Sequence, residues 1–362
     1  MCSTIGEIVS SNKNRALDRS AAVGDDARTM ARFGFTFPLD GLPLHQHKGA
    51  LQEAERLGYT DAWSYEVDGV DCFTPLALAA AWTDNLKLGT AIANVYTRAP
   101  LTLAISANAI AEAAPGRFAL GIGAGSSVIV EQWGGVPFTL PYRKVRDVNR
   151  LLQQAFTGEK VVSKLETAQS NGFRLSRQLV PPPPIYIAAL RERMLKLAGA
   201  ESDGVIINWL GANDVPQAVA AARAGARESG RDPAKLEVVC RIFVCVTDDA
   251  ALTDFIGRRM IAAYLNVPVY ASFHEWLGRG DALRPMWDAW SSGVRKAATA
   301  AIPQQAIEDL LIYGDAETCR RKIHAYVDNG VTVPVLNFIP VAGDPAQRAL
   351  QSLEMMRALA PR

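Results

Sequence analysis

Residues 205–246, VIINWLGANDVPQAVAAARAGARESGRDPAKLEVVCRIFVCV, read as strand, helix, strand. Val205–Ile207 is a short apolar run, and Val238–Val246 is a longer one rich in β-branched residues. Between them Val215, Ala218, Ala222 and Ala226 recur with steps of 3, 4 and 4, which is one face of an α-helix. Two apolar strands joined through an amphipathic helix predict a parallel pair, because a tight hairpin can join only antiparallel neighbours.

The same alternation extends in both directions. Strand-like runs occur at Phe33–Phe37, Ala62–Tyr65, Leu88–Ala93, Phe118–Ile122, Ile185–Ala188 and Val335–Ile339. Helical spacing returns at Val145, Val148, Leu152 and Ala155, and again at Cys319, Ile323 and Tyr326. Eight such strands predict a (β/α)8 TIM barrel, although alternation by itself also permits an open doubly wound sheet. At roughly 150 residues per domain the 362 residues correspond to about 2.4 domains. One barrel absorbs that length: residues 1–32 form a loose leader and residues 33–362 a single domain.

Two stretches interrupt the rhythm. Gly158–Pro184 is polar and ends in four prolines, an extended lead into the fifth strand. Asp248–Gln305, after the seventh strand, is a helical insertion carrying Trp276, Trp287 and Trp290. Insertions after barrel strands project from the face that holds active sites, so this one is a lid or substrate wall, or else a packed excursion that only stabilises. The helix Leu101–Ala114 is apolar on most of its circumference, hence buried on both sides or part of a subunit interface. The interface reading predicts a homodimer.

Composition sets the outer bounds. Hydrophobic residues make up 49% and charged residues 21%, ordinary for a globular chain. Lys+Arg is 38 against 37 for Asp+Glu, so no global field recruits nucleic acid or an anionic membrane. The longest dense apolar run, Leu76–Trp82, falls well short of the roughly 20 residues a spanning helix needs. Cys2, Cys72, Cys240, Cys245 and Cys319 contain no C-x-x-C pair, so neither a disulfide framework nor a zinc site is expected. A soluble cytoplasmic protein acting on a small-molecule substrate is the expectation.

Candidate chemistry gathers at strand ends. Gly121-Ile122-Gly123-Ala124-Gly125-Ser126 closes the fourth strand, and such glycines let main-chain amides approach a phosphate, or simply make a tight turn. A Rossmann fingerprint would follow the first strand and carry a third glycine, so dinucleotide binding of that kind is not indicated. Asn94–Pro100 closes the third strand, as a ligand contact or a turn capped by Asn94 and Thr97. Glu66, Asp68 and Asp71 follow the second strand as acids, bases or solvated loop residues, with Glu66 placed best to face a cavity. His45, His47, His274 and His324 form no metal motif, and hydrolase and P-loop signatures are absent. No catalytic residue is assigned.

Six segments in order carry a resemblance: LGYTDAWSYE, KLGTAIANVYTRAP, GRFALGIGAGS, PPPIYIAAL, AGAESDGVIIN and VDNGVTVPVLNFIP. Together they resemble the bacterial-luciferase-like superfamily, and the third-strand segment resembles its coenzyme F420-dependent branch, which includes methylenetetrahydromethanopterin reductases. The similarity covers about Phe33 to Leu359. It implies a (β/α)8 barrel with deazaflavin or flavin at the strands' carboxyl ends, and a cis peptide at Ala91–Ile92 against which the ring lies. It also implies that Glu66 and Asn94 meet the ring's polar edge, that Gly123, Ala124 and Gly125 lie near the cofactor phosphate, and that Ala188 and Ala189 touch the cofactor.

Departures from the family pattern matter too. Where sugar-phosphate dehydrogenase members carry a catalytic histidine this chain has Val67, and where they carry a catalytic glutamate it has Ser126. The resemblance therefore implies an F420-dependent reductase delivering hydride to C=C or C=N. An FMN-dependent monooxygenase and a non-catalytic flavin- or F420-binding barrel are the alternatives. Arg191 and Arg193, just past the fifth strand, are candidates to meet the anionic tail of F420, or else a solvated helix start.

Overall fold

A strand that is apolar on both faces must be covered on both, and the computed structural model, which describes residues 32–361, does this with a closed parallel barrel. Its strands are β1 (Gly34–Thr36), β2 (Asp61–Ser64), β3 (Lys87–Thr90), β4 (Phe118–Gly123), β5 (Ile185–Ala188), β6 (Gly204–Asn208), β7 (Glu237–Val246) and β8 (Val333–Phe338). Each pairs in parallel with the next, and β8 returns to β1 through Gly34↔Val335, closing the ring. The open-sheet alternative is thereby excluded. The leader expected over residues 1–32 lies outside the described residues except for Arg32. That residue belongs to the barrel's base, where Nε donates to Asp61 at 3.1 Å and the guanidinium also pairs with Glu237.

Alternation along the strands divides the core. Val238, Cys240, Ile242 and Val244 point outward beneath the helices, whereas Val239 points inward with Trp63, Tyr186, Ile206 and Val335. Gly89 makes room for the largest of these: a Cβ there would lie 2.4 Å from the Trp63 ring. The crossover helices bury the residues their spacing singles out, among them Val145, Val148, Leu152 and Ala155 in Pro141–Phe156, and Val215, Ala218, Ala222 and Ala226 in Val215–Glu228.

Other elements depart from the sequence reading. Inside the polar stretch before the prolines, Val161–Lys164 and Gln169–Phe173 pair as an antiparallel hairpin. Its mixed polar side chains show no clean alternation, so periodicity does not reveal it. The helix Pro100–Ala113 buries Leu103, Ala104, Ala107, Asn108, Ile110 and Ala111 within this one chain, and Ile105 is left 54% exposed. Much of the apolar circumference is thus covered without a second subunit. Among the described residues, no helix is long and apolar enough to cross a membrane.

The insertion after β7 is helical, with Ala250–Tyr264, Pro268–Trp276, Gly280–Ser291, Arg295–Ala300 and Gln304–Leu310. These helices build a second core around Leu265, Leu283, Met286 and Ile307, joined to the barrel mouth by Trp209 and Phe243.

Candidate functional site

The carboxyl ends of the strands open onto a cavity of about 710 Å³. Ala91 and Ile92 form its β3 wall, and the peptide bond between them is cis, at the position the resemblance implies. Beyond β4 come Ala124 and Gly125, and beyond β5 come Ala189 and Leu190 after Ala188. Small residues bring main-chain groups close to the cavity surface on this side. The rest of the wall carries larger and more polar side chains, Asn208 from β6, Arg241 from β7, and Tyr270 and Trp276 from the insertion helix Pro268–Trp276. The insertion is therefore a wall of the cavity as well as a packed helical layer.

Several sequence-singled residues act one step back from that surface. Asn94 is buried; its Oδ1 accepts from the Tyr96 amide at 2.8 Å and from the Thr97 amide at 3.4 Å, and its Nδ2 donates to the Ala124 carbonyl at 3.4 Å. It braces the turn after β3 against the glycine loop. Gly125 completes that contact in the left-handed region (φ 68°), where a Cβ would meet Asn94 Nδ2 at 2.4 Å. Gly123 packs under the cavity, with room for a Cβ only 3.1 Å from Ala188 and Ile92 side-chain carbons.

Glu66 is held by Arg98, whose Nε donates to both carboxylate oxygens at 3.1 and 3.0 Å. Arg98 in turn lies 5.0 Å over the Phe73 ring and 3.6 Å from Asp71. Asp71 caps the next helix by accepting from the Phe73 and Thr74 amides at 2.8 and 3.0 Å. Glu66 and Asp71 thus form an ion-pair cluster with Arg98 beside the barrel mouth, off the wall of the 710 Å³ cavity, and Asp68 is exposed.

Arg191 and Arg193 stand at the rim. Arg191 is exposed and precedes the helix Glu192–Glu201, and Arg193 lies 4.0 Å over the Tyr142 ring. Both line the cavity and neither makes an ion pair among the described residues. His47 serves the fold, accepting from the Leu39 amide at 3.0 Å, and its burial lowers its pKa. Among the described residues no cluster of three or more His, Cys, Asp or Glu is placed to hold a metal ion.

Asn208, Arg241 and Tyr270 escape the sequence reading. For Arg241 a signal exists: it is the one charge inside the apolar run VVCRIFVCV, on the same strand face as Val239 and Phe243. Trp209, at φ 54°, turns the chain at the end of β6, and its ring packs tilted against Phe243 and Tyr264 at centroid distances of 4.4 and 4.5 Å. This aromatic layer backs the polar side of the cavity. Burial pushes the Tyr270 hydroxyl up to about 12, so it stays protonated as a donor.

Comparison with known proteins agrees with this architecture. The 5,10-methylenetetrahydromethanopterin reductase of Methanolobus tindarius is 27% identical over 308 residues, covering 83% of this chain and 92% of that one. The structure of the coenzyme F420-dependent tetrahydromethanopterin reductase of Methanopyrus kandleri superposes with a TM-score of 0.73 at 24% identity, covering 89% and 97% of the two chains. The monooxygenase RslO1 of Streptomyces bottropensis superposes with a TM-score of 0.65 at 17% identity, covering 91% and 97%. These two structural likenesses establish the fold alone. The family model described as luciferase-like monooxygenase matches residues 21–333. This chain belongs to that luciferase-like family, and with it to the oxidoreductases.

Proposed function

We propose that the protein is a coenzyme F420-dependent oxidoreductase, acting as a reductase that passes a hydride from the reduced deazaflavin to a small organic substrate. One observation carries the reading: a single cavity joins a small-residue wall to a rim whose two arginines, Arg191 and Arg193, make no ion pair among the described residues. F420 has the matching form, a planar ring system with a tail bearing phosphate and glutamate. A cavity of about 710 Å³ lies within the range of cofactor sites. The name of the Methanolobus reductase relative agrees with the reading.

Ala91, Ile92, Ala188 and Ala189 would hold the ring, Ala124 and Gly125 would lie near the phosphate, and Arg191 and Arg193 would meet the anionic tail. When bound, F420 supplies two-electron hydride chemistry. The chain's own part is positioning: the Asn94–Ala124 hydrogen bond fixes the loop after β4, and Trp276 and Tyr270 form part of the cavity wall. Glu192, at the rim, is the only carboxylate on the cavity wall among the described residues. Such a wall favours hydride transfer, which depends on orientation, over chemistry that needs a paired acid and base.

Parallel titration of the purified chain with F420 and FMN tests the reading, followed by a screen of imines and activated alkenes with reduced F420. The expected result is F420 binding at least about tenfold tighter than FMN, and oxidation of reduced F420 with at least one acceptor. Tight FMN binding with oxygen consumption would favour a monooxygenase. Binding of F420 or FMN without turnover, or binding of neither, would favour a non-catalytic barrel that keeps or has lost cofactor binding.

A further inference from the structure

We propose that Arg241 is the substrate anchor of this cavity and that the substrate carries a carboxylate. The inference deepens the proposed reading, on which it rests only in treating the β3 wall as the cofactor's side.

Arg241 enters the barrel mouth from β7, one inward position above Val239. Around the eight-stranded ring β7 and β3 are four strands apart in either direction, so Arg241 and the Ala91–Ile92 wall face each other across one cavity. Its guanidinium is short of acceptors. Nη2 donates to Asn337 Oδ1 at 3.2 Å, Nε is buried without a partner, and no ion pair holds the group among the described residues. Around it are aromatic rings: Tyr65 lies 4.7 Å from the guanidinium carbon and Phe243 5.9 Å. Burial pulls its pKa below the usual arginine value, and the groups that oppose this shift are the phenols of Tyr65, Tyr264 and Tyr270, with no carboxylate among them.

A buried cation without an anion is costly, and retaining one is explained when a ligand supplies the missing charge. Asn337 and Tyr65 hold the guanidinium plane from behind, where both line a second cavity of about 400 Å³. A planar guanidinium held in this way suits a carboxylate, whose two oxygens match its fork. Tyr270 and Trp276 beside it provide apolar surface for the rest of a small organic acid. The rim arginines, Arg191 and Arg193, are a separate cationic group suited to the cofactor's own anions.

Ligand-detected NMR on the full chain, with and without F420, tests this using benzoate and benzamide, which match in shape and differ in charge. The expected result is that benzoate binds the native chain at least about tenfold more tightly than benzamide. Arg241→Gln should abolish the preference, Arg241→Lys should restore part of it, and F420 affinity should stay within about twofold in both. Equal binding of the two probes, no binding of either, or a preference that survives Arg241→Gln would overturn the proposal. So would a preference lost only in Arg191→Ala/Arg193→Ala, which assigns the anion to the rim. A tenfold or greater loss of F420 affinity in Arg241→Gln would make Arg241 a cofactor contact and overturn it equally. Equal binding of the two probes by the native chain overturns the anchor even where a variant does not fold. Failure of the F420 reading shows separately, as absent F420 binding with the benzoate preference intact.

Discussion

Arg98 Nε donates to both oxygens of Glu66, at 3.1 and 3.0 Å, and so locks the acidic residue after β2 to the turn after β3. Both side chains are 21% exposed. Removing one partner leaves the other partly desolvated and unpaired. Arg98→Ala and Glu66→Gln are each expected to cost about 1–2 kcal/mol of stability, measured by urea unfolding. F420 affinity should change by less than about twofold in Glu66→Gln, because the carboxylate is off the cavity wall. A tenfold loss of affinity without loss of stability would assign Glu66 a direct cofactor contact.

Gly125 and Asn94 make a second test. At φ 68°, and with a Cβ on residue 125 falling only 2.4 Å from Asn94 Nδ2, alanine meets both backbone strain and a clash. Gly125→Ala is expected to cost about 1–3 kcal/mol in thermal unfolding. It should also weaken F420 binding, since the loop it displaces is part of the cavity wall. Unchanged affinity in a folded variant would remove this loop from the cofactor site.

The rim arginines predict a salt effect. Arg191→Ala with Arg193→Ala is expected to weaken F420 binding by about tenfold at low salt and to flatten its dependence on ionic strength. Identical salt profiles in the native and doubly substituted chains would contradict the assignment of the anionic tail to this rim.

Buried His274 predicts a pH dependence. Desolvation, reinforced by the neighbouring charge of Arg279, pushes its pKa down to about 3 from the ordinary 6.5. The unfolded chain therefore takes up a proton that the native one refuses, so stability is full above about pH 6.5 and falls as pH drops toward 3. The slope approaches about 1.4 kcal/mol per pH unit for this one group. Burial lowers His47 in the same direction. Denaturant unfolding between pH 7 and pH 4 should show the decline, and His274→Gln should make it shallower. An unaltered slope would mean that His274 is not the group responsible.

The barrel was legible because burial on two faces leaves a one-dimensional trace. Runs such as Val238–Val246, separated by helices with apolar residues 3 or 4 positions apart, admit few packings. The hairpin at Val161–Lys164 and Gln169–Phe173 left no such trace, since little of it is buried and polar side chains fill both faces. For the site, the resemblance carried Ala91, Ile92, Ala124, Gly125, Ala188 and Ala189 onto what proves to be one cavity wall.

Sequence by itself therefore determined the eight strands, their helical crossovers and the strand ends where chemistry collects, because these depend on local periodicity. Only the tertiary structure decided what each polar group faces. Closing the ring put Arg98 against Glu66 from different loops, and set Arg241 opposite Ala91 from strands 150 positions apart in the chain. Pairings of this kind depend on which strand ends share a mouth, and no spacing along the chain encodes that.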